Sequence, residues 1–336
     1  MLQPRPLVDA PLEAPPRPRT RHLSIAPAPP PAAVGEPVPA VSVVIPLYNK
    51  RQSVARGIRS VLAQSFTDFE LLVVDDGSSD GSAAVVEGFS DSRIRVLSQE
   101  NQGVSVARNR GILEAKGELV AFLDADDEWQ PNHLAVMAGI LEERPEIQAA
   151  GAGYCVSDGE SVQEALADLF PDATQEVVVD FFEAALSTQP LWSSSVVIRR
   201  SLFAQCGLFP AGISHGEDLD MWMRVGMACG KDGLLLTRRT RPVYHQDAEN
   251  RAGFRRARTD RLPSAERVLS NPSGYDRPVL EFAYLLLLQQ ASRLRVCGQR
   301  WRSMRWIWDA RRTRHHRRFA LRELAHVLLD PRVLPS

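Results

Sequence analysis

An α/β fold, with a mixed, mainly parallel sheet covered by helices on both faces and a helical extension at its C-terminal end, is predicted by three features of this sequence. Apolar runs of strand length recur at residues 41–47, 70–74 and 119–123 and are nearly continuous, as in strands buried on both faces. Segments with helical spacing separate them, the alternation of a parallel sheet. The second and third runs end abruptly in acids, and such sheets bind ligands at the carboxyl ends of their strands.

The elements follow in order. Residues 1–39 carry repeated Pro and Ala without any period and read as a disordered, partly polyproline tail. The folded part opens at Val43-Val44-Ile45-Pro46-Leu47-Tyr48-Asn49, a β-branched strand that Pro46 is expected to end. Residues 53–64 place Val54, Ile58, Val61 and Leu62 on one helical face. A second strand runs into Asp75-Asp76-Gly77-Ser78-Ser79-Asp80, followed by a helix over 82–89, a strand over 94–97 and a helix over 103–115. The strand at 119–123 precedes Asp124-Ala125-Asp126-Asp127-Glu128, and a helix over 132–143 leads to a strand near 148–155. Residues 157–180 read as loop and edge segments; a strand over 194–198, a short helix over 201–206 and a helix from about 217 come next. From about Thr259 the pattern is that of amphipathic helices. The division expected is a tail at 1–39, a catalytic domain at 40–255 and an Arg-rich helical region at 256–336.

Charge is unevenly spread. The net charge is −1, yet from Gln289 onward twelve arginines face only Asp309, Glu323 and Asp330. Lysine is confined to Lys50, Lys116 and Lys231. Cys155, Cys206, Cys229 and Cys297 lack the paired spacings of a zinc site or disulfide framework and read as buried thiols in a reducing compartment. No apolar stretch has the length of a signal peptide or a membrane span, so the expected location is cytoplasmic. Trp301, Trp306 and Trp308 among Arg300, Arg302 and Arg305 suit peripheral contact with an anionic membrane or a partner, or else a helical subdomain with solvated arginines. No nucleic-acid motif is present.

The acidic segment after the third run is the centre of the chemistry. A period of two sets Asp124 and Asp126 on one side of an extended chain, roughly 7 Å apart. Two such carboxylates suit a hard divalent cation that keeps positions open for substrate phosphates. An acidic loop before a helix started by Pro131 is the alternative.

Taken together, these motifs resemble the inverting nucleotide-sugar glycosyltransferases of family 2, which have the GT-A fold. The resemblance spans about residues 41–250 and also rests on Asn101-Gln102-Gly103, Ala107-Arg108-Asn109 and Glu217-Asp218. It implies a donor site that includes Pro46, Tyr48, Asn49, Asp76, Asn101, Arg108, Asp124 and Arg241, with Asp76 reading a uracil ring and Arg108 facing the diphosphate. It implies Mn²⁺ or Mg²⁺ on Asp126 and Asp124 with His245 nearby, Asp218 as the base for the attacking hydroxyl, and Glu217 as its orienting neighbour. The implied partners are a nucleotide-sugar donor, UDP-linked by expectation, and a glycan or lipid-linked acceptor, in the synthesis of a polysaccharide, glycolipid or other glycoconjugate. For most of these residues a plainer role also exists: turn and cap chemistry for Asp76, a solvated helix charge for Arg108, helix N-terminal acids for Glu217 and Asp218, and a structural histidine for His245. Asp80 reads as a cap, and Asp127 and Glu128 as helix-entry charges.

Two rival functions remain. A nucleotidyltransferase would carry a Gly-rich, lysine-bearing loop near the first strand, where Pro46 to Asn49 stand instead. A non-catalytic nucleotide-sugar-binding or membrane-associated scaffold would not require Asp124, Asp126 and Asp218.

Overall fold

A computed structural model describes residues 38–165, 169–170, 175–213, 215–246, 248 and 262–296, with side chains described as far as Ala291. The elements are β1 (Val41–Leu47), α1 (Val54–Leu62), β2 (Phe69–Asp75), α2 (Ser82–Glu87), β3 (Ile94–Ser98), α3 (Val104–Glu114), β4 (Leu119–Phe122), α4 (His133–Glu143), β5 (Ala149–Ala152), β6 (Tyr154–Ser157), β7 (Val162–Ala165), β8 (Glu176–Val178), α5 (Phe181–Ala185), β9 (Val196–Arg199), α6 (Phe203–Cys206), α7 (Glu217–Cys229), β10 (Leu234–Thr237), β11 (Val243–His245), α8 (Pro263–Ser270) and α9 (Arg277–Val296).

Eight strands form the main sheet in the order β3-β2-β1-β4-β9-β5-β10-β8, and a small sheet has the order β11-β6-β7. All main-sheet neighbours are parallel except at β9, which is antiparallel to β4 and β5, and at β8, antiparallel to β10. Alternation along β1 explains the two apolar layers: Val43 and Ile45 pack with α1 and α4 residues such as Ile58 and Met137, while Val44 packs on the other face with Ala107 of α3 and Phe122. Gly111 permits that second contact, because a Cβ there would lie 2.3 Å from a methyl of Val44.

Pro46 does not end the first strand. β1 continues to Leu47, with Pro46 opposite Val74. Val44 accepts from Leu123 N–H on the β4 side, and the period of two turns Pro46 the same way, beyond the end of β4. Its missing N–H therefore interrupts no ladder bond.

The strand expected over 148–155 is two strands in different sheets, parted at Gly153. Within 157–180, β7 pairs with β6 and β8 closes one edge of the main sheet. These strands have three or four residues each, too short for a legible period.

α8 and α9 share the core of the domain: Leu262, Ala265, Val268, Phe282 and Leu286 lie in one cluster with Phe181 and Trp222. Asp220 of α7 fastens α8, accepting from Ser264 N–H at 2.7 Å and Ser264 Oγ at 2.6 Å while paired with Arg224 at 2.9 Å. Cys155, Cys206 and Cys229 are free thiols, of which only Cys206 is fully buried. Among the described residues no helix is long and apolar enough to cross a membrane. The tail to residue 37, nearly all of residues 246–258, Cys297 and the Trp-Arg segment around Trp301, Trp306 and Trp308 lie outside the described residues.

Candidate active site

The register of β1, β2 and β4 brings their carboxyl ends to one rim, with Leu47 opposite Asp75 and Val44 opposite Phe122. Tyr48, Asn49, Asp76 and Asp124 are the residues that follow these ends. Antiparallel β9 starts at the same rim, so the turn before it, Ser193–Ser195, lies beside the acidic segment.

That turn supports the acids from below. Ser194 Oγ accepts from Asp124 N–H at 3.0 Å and bonds the Asp127 carboxylate at 2.6 Å, while the Ser194 carbonyl accepts from the Trp129 indole at 2.7 Å. Asp127 is fully buried and also accepts from His245 N–H at 3.4 Å. Burial, together with Asp124 and Asp126, pushes its pKa well above the ordinary carboxylate range. The expected helix-entry charge is thus an interior acid, a change caused by the β11 contact that covers it. Glu128, whose backbone bridges to Val243, sets its carboxylate 3.3 Å from His245 Nε2.

Asp124 and Asp126 face outward, each already paired. Asp124 Oδ1 accepts from Arg108 Nη2 at 2.7 Å, and Asp126 Oδ2 lies 2.5 Å from Lys50 Nζ. Arg56 Nη2 donates to the Asp126 carbonyl at 2.6 Å and fixes the backbone there. Among the described residues no three His, Cys, Asp or Glu side chains gather as a metal site. Two adjacent carboxylates still fit the implied Mn²⁺ or Mg²⁺, because such an ion takes one or two protein carboxylates and completes its shell with water and phosphate oxygens.

Arg108 is not a solvated helix charge. It is 3% exposed, spans from Asp124 to Glu217 Oε1 at 3.3 Å, and lies over the Phe209 ring at 5.3 Å. Burial alone would lower its pKa, but Asp124, Glu217 and Asp218 outweigh that and hold it above the usual guanidinium range. Next to it, Asn109 clamps the segment leading to α7: its Nδ2 donates to the Phe209 carbonyl and its Oδ1 accepts from Phe209 N–H, both at 2.8 Å. Gly216 completes the approach with φ of 84°, which a side chain would strain.

Glu217 and Asp218 open α7, and Asp218 Oδ1 accepts from Leu219 N–H at 2.8 Å. Burial and the adjacent Asp218 charge raise Glu217 to about 7 against the pull of Arg108. Burial raises Asp218 as well, with Arg108 opposing. A carboxyl group whose folded pKa is raised favours the fold while protonated. The Glu217 contribution is therefore complete below its unfolded value near 4.5 and lost as pH rises through about 7.

The remaining expected residues divide into two sets. Asp76 is 2% exposed and ties down the segment before α3, not α2, accepting from Gln102 N–H at 2.9 Å, Gly103 N–H at 2.8 Å and Gln99 Nε2 at 2.7 Å. Asn49 stands at φ 52°, its Oδ1 accepting from Ser79 N–H at 2.8 Å, while Tyr48 and Asn101 are exposed at the rim. Asp80 does cap α2, accepting from Ser82 N–H at 2.9 Å. Arg241, by contrast, is engaged in the small sheet, 3.1 Å from Glu164. Lys50, Arg56, Asn109 and Ser194 are the residues of this site that the sequence did not single out for a role. Only the Asn109 and Lys50 neighbourhoods carried a signal, through the motifs that contain or adjoin them.

A mixed sheet with an acidic turn after β4 and a second acid pair opening a later helix is the GT-A architecture. TarS 1-349 of S. aureus, solved with UDP-GlcNAc, shares it at a TM-score of 0.56 and 17% identity over 85% of this chain and 81% of that one. The mannosyltransferase PcManGT of Pyrobaculum calidifontis, solved with GDP-Man and Mn²⁺, does so at 0.55 and 19% identity over 87% and 81%. The family model for glycosyl transferase family 2 matches residues 42–201. The putative teichuronic acid biosynthesis glycosyltransferase TuaG of Bacillus subtilis is 32% identical over 189 residues, 55% of this chain and 71% of TuaG. This chain belongs to glycosyl transferase family 2. It spans 54% of the Escherichia coli glycosyltransferase YibD, at 33% identity, and 30% of a Rickettsia conorii relative.

Proposed function

We propose that the chain transfers a sugar from a nucleotide donor, a uridine diphosphate sugar, to an acceptor hydroxyl with inversion. The observation that carries this reading is the line of contacts Asp124–Arg108–Glu217, with Asp218 adjoining, which joins the acids of β4 to the acid pair of α7. At the base end, Tyr48 offers a 44% exposed ring for stacking, with Asn49 and Asn101 beside the nucleoside, and Asp76 Oδ2, holding one donor, keeps a lone pair for an imide N–H. Pro46 shapes the floor of this end. When bound between Asp124, Asp126 and the diphosphate, Mn²⁺ or Mg²⁺ would offset the charge that grows on the leaving nucleoside diphosphate. His245 and Arg241 could join only by leaving Glu128 and Glu164.

Asp218 takes the proton of the acceptor hydroxyl. The freed oxygen pair forms the new bond to the anomeric carbon as the bond to the diphosphate breaks on the opposite face, and one displacement inverts the centre. A glycan or lipid-linked acceptor accords with the names of relatives, among them an E. coli UDP-Glc:α-D-GlcNAc-diphosphoundecaprenol β-1,3-glucosyltransferase, 42% identical over 102 residues. A cavity of about 300 Å³ walled by Leu219, Trp222, Phe282 and Leu286, with Gln189 and Gln289 as polar lining, offers space beside the neighbour of Asp218.

A thermal-shift screen of UDP- and GDP-sugars, with and without Mn²⁺, tests the donor reading. UDP-sugars are expected to stabilise the protein more with Mn²⁺ than without; a response confined to GDP-sugars, or none with either, would refute it. The acid pair also sets a pH profile. Transfer rate should rise with pH as the Asp218 carboxyl, held by burial above its ordinary value, loses its proton, and Glu217→Gln, which removes the neighbouring carboxylate, should move that rising limb to lower pH. A limb left unmoved in Glu217→Gln would remove the pair from the base role.

A further inference from the structure

Beside the acidic turn, on the side away from Tyr48 and Asp76, three aromatic rings stand together. Trp192 meets Tyr154 at 5.1 Å between ring centroids and Tyr244 at 5.0 Å, the second pair edge to face. Register explains the grouping: Tyr244 pairs with Val156, so Tyr154, Val156 and Tyr244 share one face of the small sheet, and Trp192 packs on it. All three rings are half-buried, and Trp192 is the one residue of 191–198 that is not buried. The turn that holds Asp124 through Ser194 also fixes Trp192, whose N–H donates to Ser195 Oγ at 3.4 Å and whose carbonyl accepts from Ser195 Oγ at 3.0 Å. At the other end of the cluster His245, next to Tyr244, donates its N–H to Asp127. Both the turn before β9 and β11 therefore tie these rings to the acidic turn.

Their chemistry differs from that of the acids. Carboxylates suit a cation and a diphosphate, whereas an indole and two phenols carry no charge; burial and the adjacent Tyr244 phenol raise the Tyr154 pKa further. Flat ring faces edged by N–H and O–H groups match a neutral ligand with an apolar face and a polar rim. A pyranose is such a ligand. Its C–H groups gather on one side of the ring and meet the negative face of an aromatic system, while its hydroxyls point outward. We propose that Trp192, backed by Tyr154 and Tyr244, is the platform on which a sugar ring of the acceptor stacks. Strand order favours the acceptor over the donor. Along the rim, β2 and β1 lead to Asp76 and Tyr48, β4 leads to the acids proposed for the diphosphate, and β9 follows the turn with Trp192. An in-line displacement needs the incoming oxygen on the side of the anomeric carbon away from the diphosphate, which along this rim is the β9 side. Pro190 and Leu191, just before Trp192, wall the cavity that also touches Leu219, the neighbour of Asp218. The inference rests on the reading that places the nucleoside at the β1 and β2 end.

Saturation-transfer difference NMR on the full-length protein with UDP and Mn²⁺ tests it. The probes are methyl β-D-glucoside, methyl β-D-galactoside, methyl N-acetyl-β-D-glucosaminide and octyl β-D-glucoside. In the parent, the ring C–H protons of at least one glycoside should be saturated. Trp192→Ala should cut that signal about tenfold, the size of one lost aromatic contact, while the uracil protons of UDP keep theirs. Trp192→Phe should retain most of it. Trp192→Leu, which fills the space without a ring, should show the same loss if Trp192→Ala folds poorly. Saturation of no glycoside ring in the parent, an unchanged ring signal in the ringless variants, or saturation confined to the octyl chain would overturn the proposal. Joint loss of the uracil and glycoside signals in a folded variant would assign Trp192 to the donor and overturn it too. Absence of the uracil signal from the parent would overturn the donor reading itself, and the inference with it.

Discussion

Replacing Asp218 with Asn should lower sugar transfer by about 10²- to 10⁴-fold, the usual contribution of a placed general base. Asn keeps the size of the side chain and an acceptor for Leu219 N–H, the bond that Asp218 Oδ1 makes at the start of α7. What it loses is the capacity to take a proton. Because burial raises the Asp218 pKa, the carboxylate is also a stronger base than an exposed Asp would be. The loss should appear in kcat, measured as UDP released at saturating donor and acceptor, with thermal stability and donor affinity retained. A variant that keeps parental kcat would take the base role away from Asp218.

The second large effect is expected at Arg108. Arg108→Met removes the buried cation that joins Asp124 to Glu217 and leaves the two acids facing each other. Breaking a buried pair by removing one partner costs about 3–5 kcal/mol, since the remaining charge must be protonated or left unpaired. Urea unfolding at pH 7.5 should show a loss of that order, smaller at pH 5, where Glu217 is already protonated. Transfer should fall steeply in the fraction that remains folded. Arg108→Lys should recover part of the stability but little of the activity, because a point charge does not span both carboxylates. Full stability in Arg108→Met would mean that the network does not organise the site.

Much of the frame was legible because strands buried on both faces announce themselves by composition. The acids at the ends of β2 and β4 follow those runs directly, and Glu217-Asp218 opens a helix whose acids suit its N-terminus. The limits of legibility are equally physical. β9 is a strand by composition, yet nothing in four residues states that it enters antiparallel and carries Ser194 to a place under Asp124, seventy positions earlier in the chain. Arg108 reads as a helix-surface charge because helical spacing says nothing of an acid 109 residues away. Asp127 and Asp126 are indistinguishable as letters. The β11 backbone and Ser194 bury one, while Lys50 meets the other. The plainer reading of Asp76, a turn residue leading into α2, missed that it holds the segment before α3, since the turn from β3 returns to it.

One group of acids is proposed to grip the leaving diphosphate through a cation while a separate acid activates the acceptor. Calorimetric titration of UDP in the presence of Mn²⁺, on the Asp126→Ala and Asp218→Asn variants side by side, separates the two roles. The prediction is that Asp126→Ala loses Mn²⁺-dependent UDP binding and Asp218→Asn binds as the parent does. Parental binding by Asp126→Ala, or its loss in a folded Asp218→Asn, would contradict it.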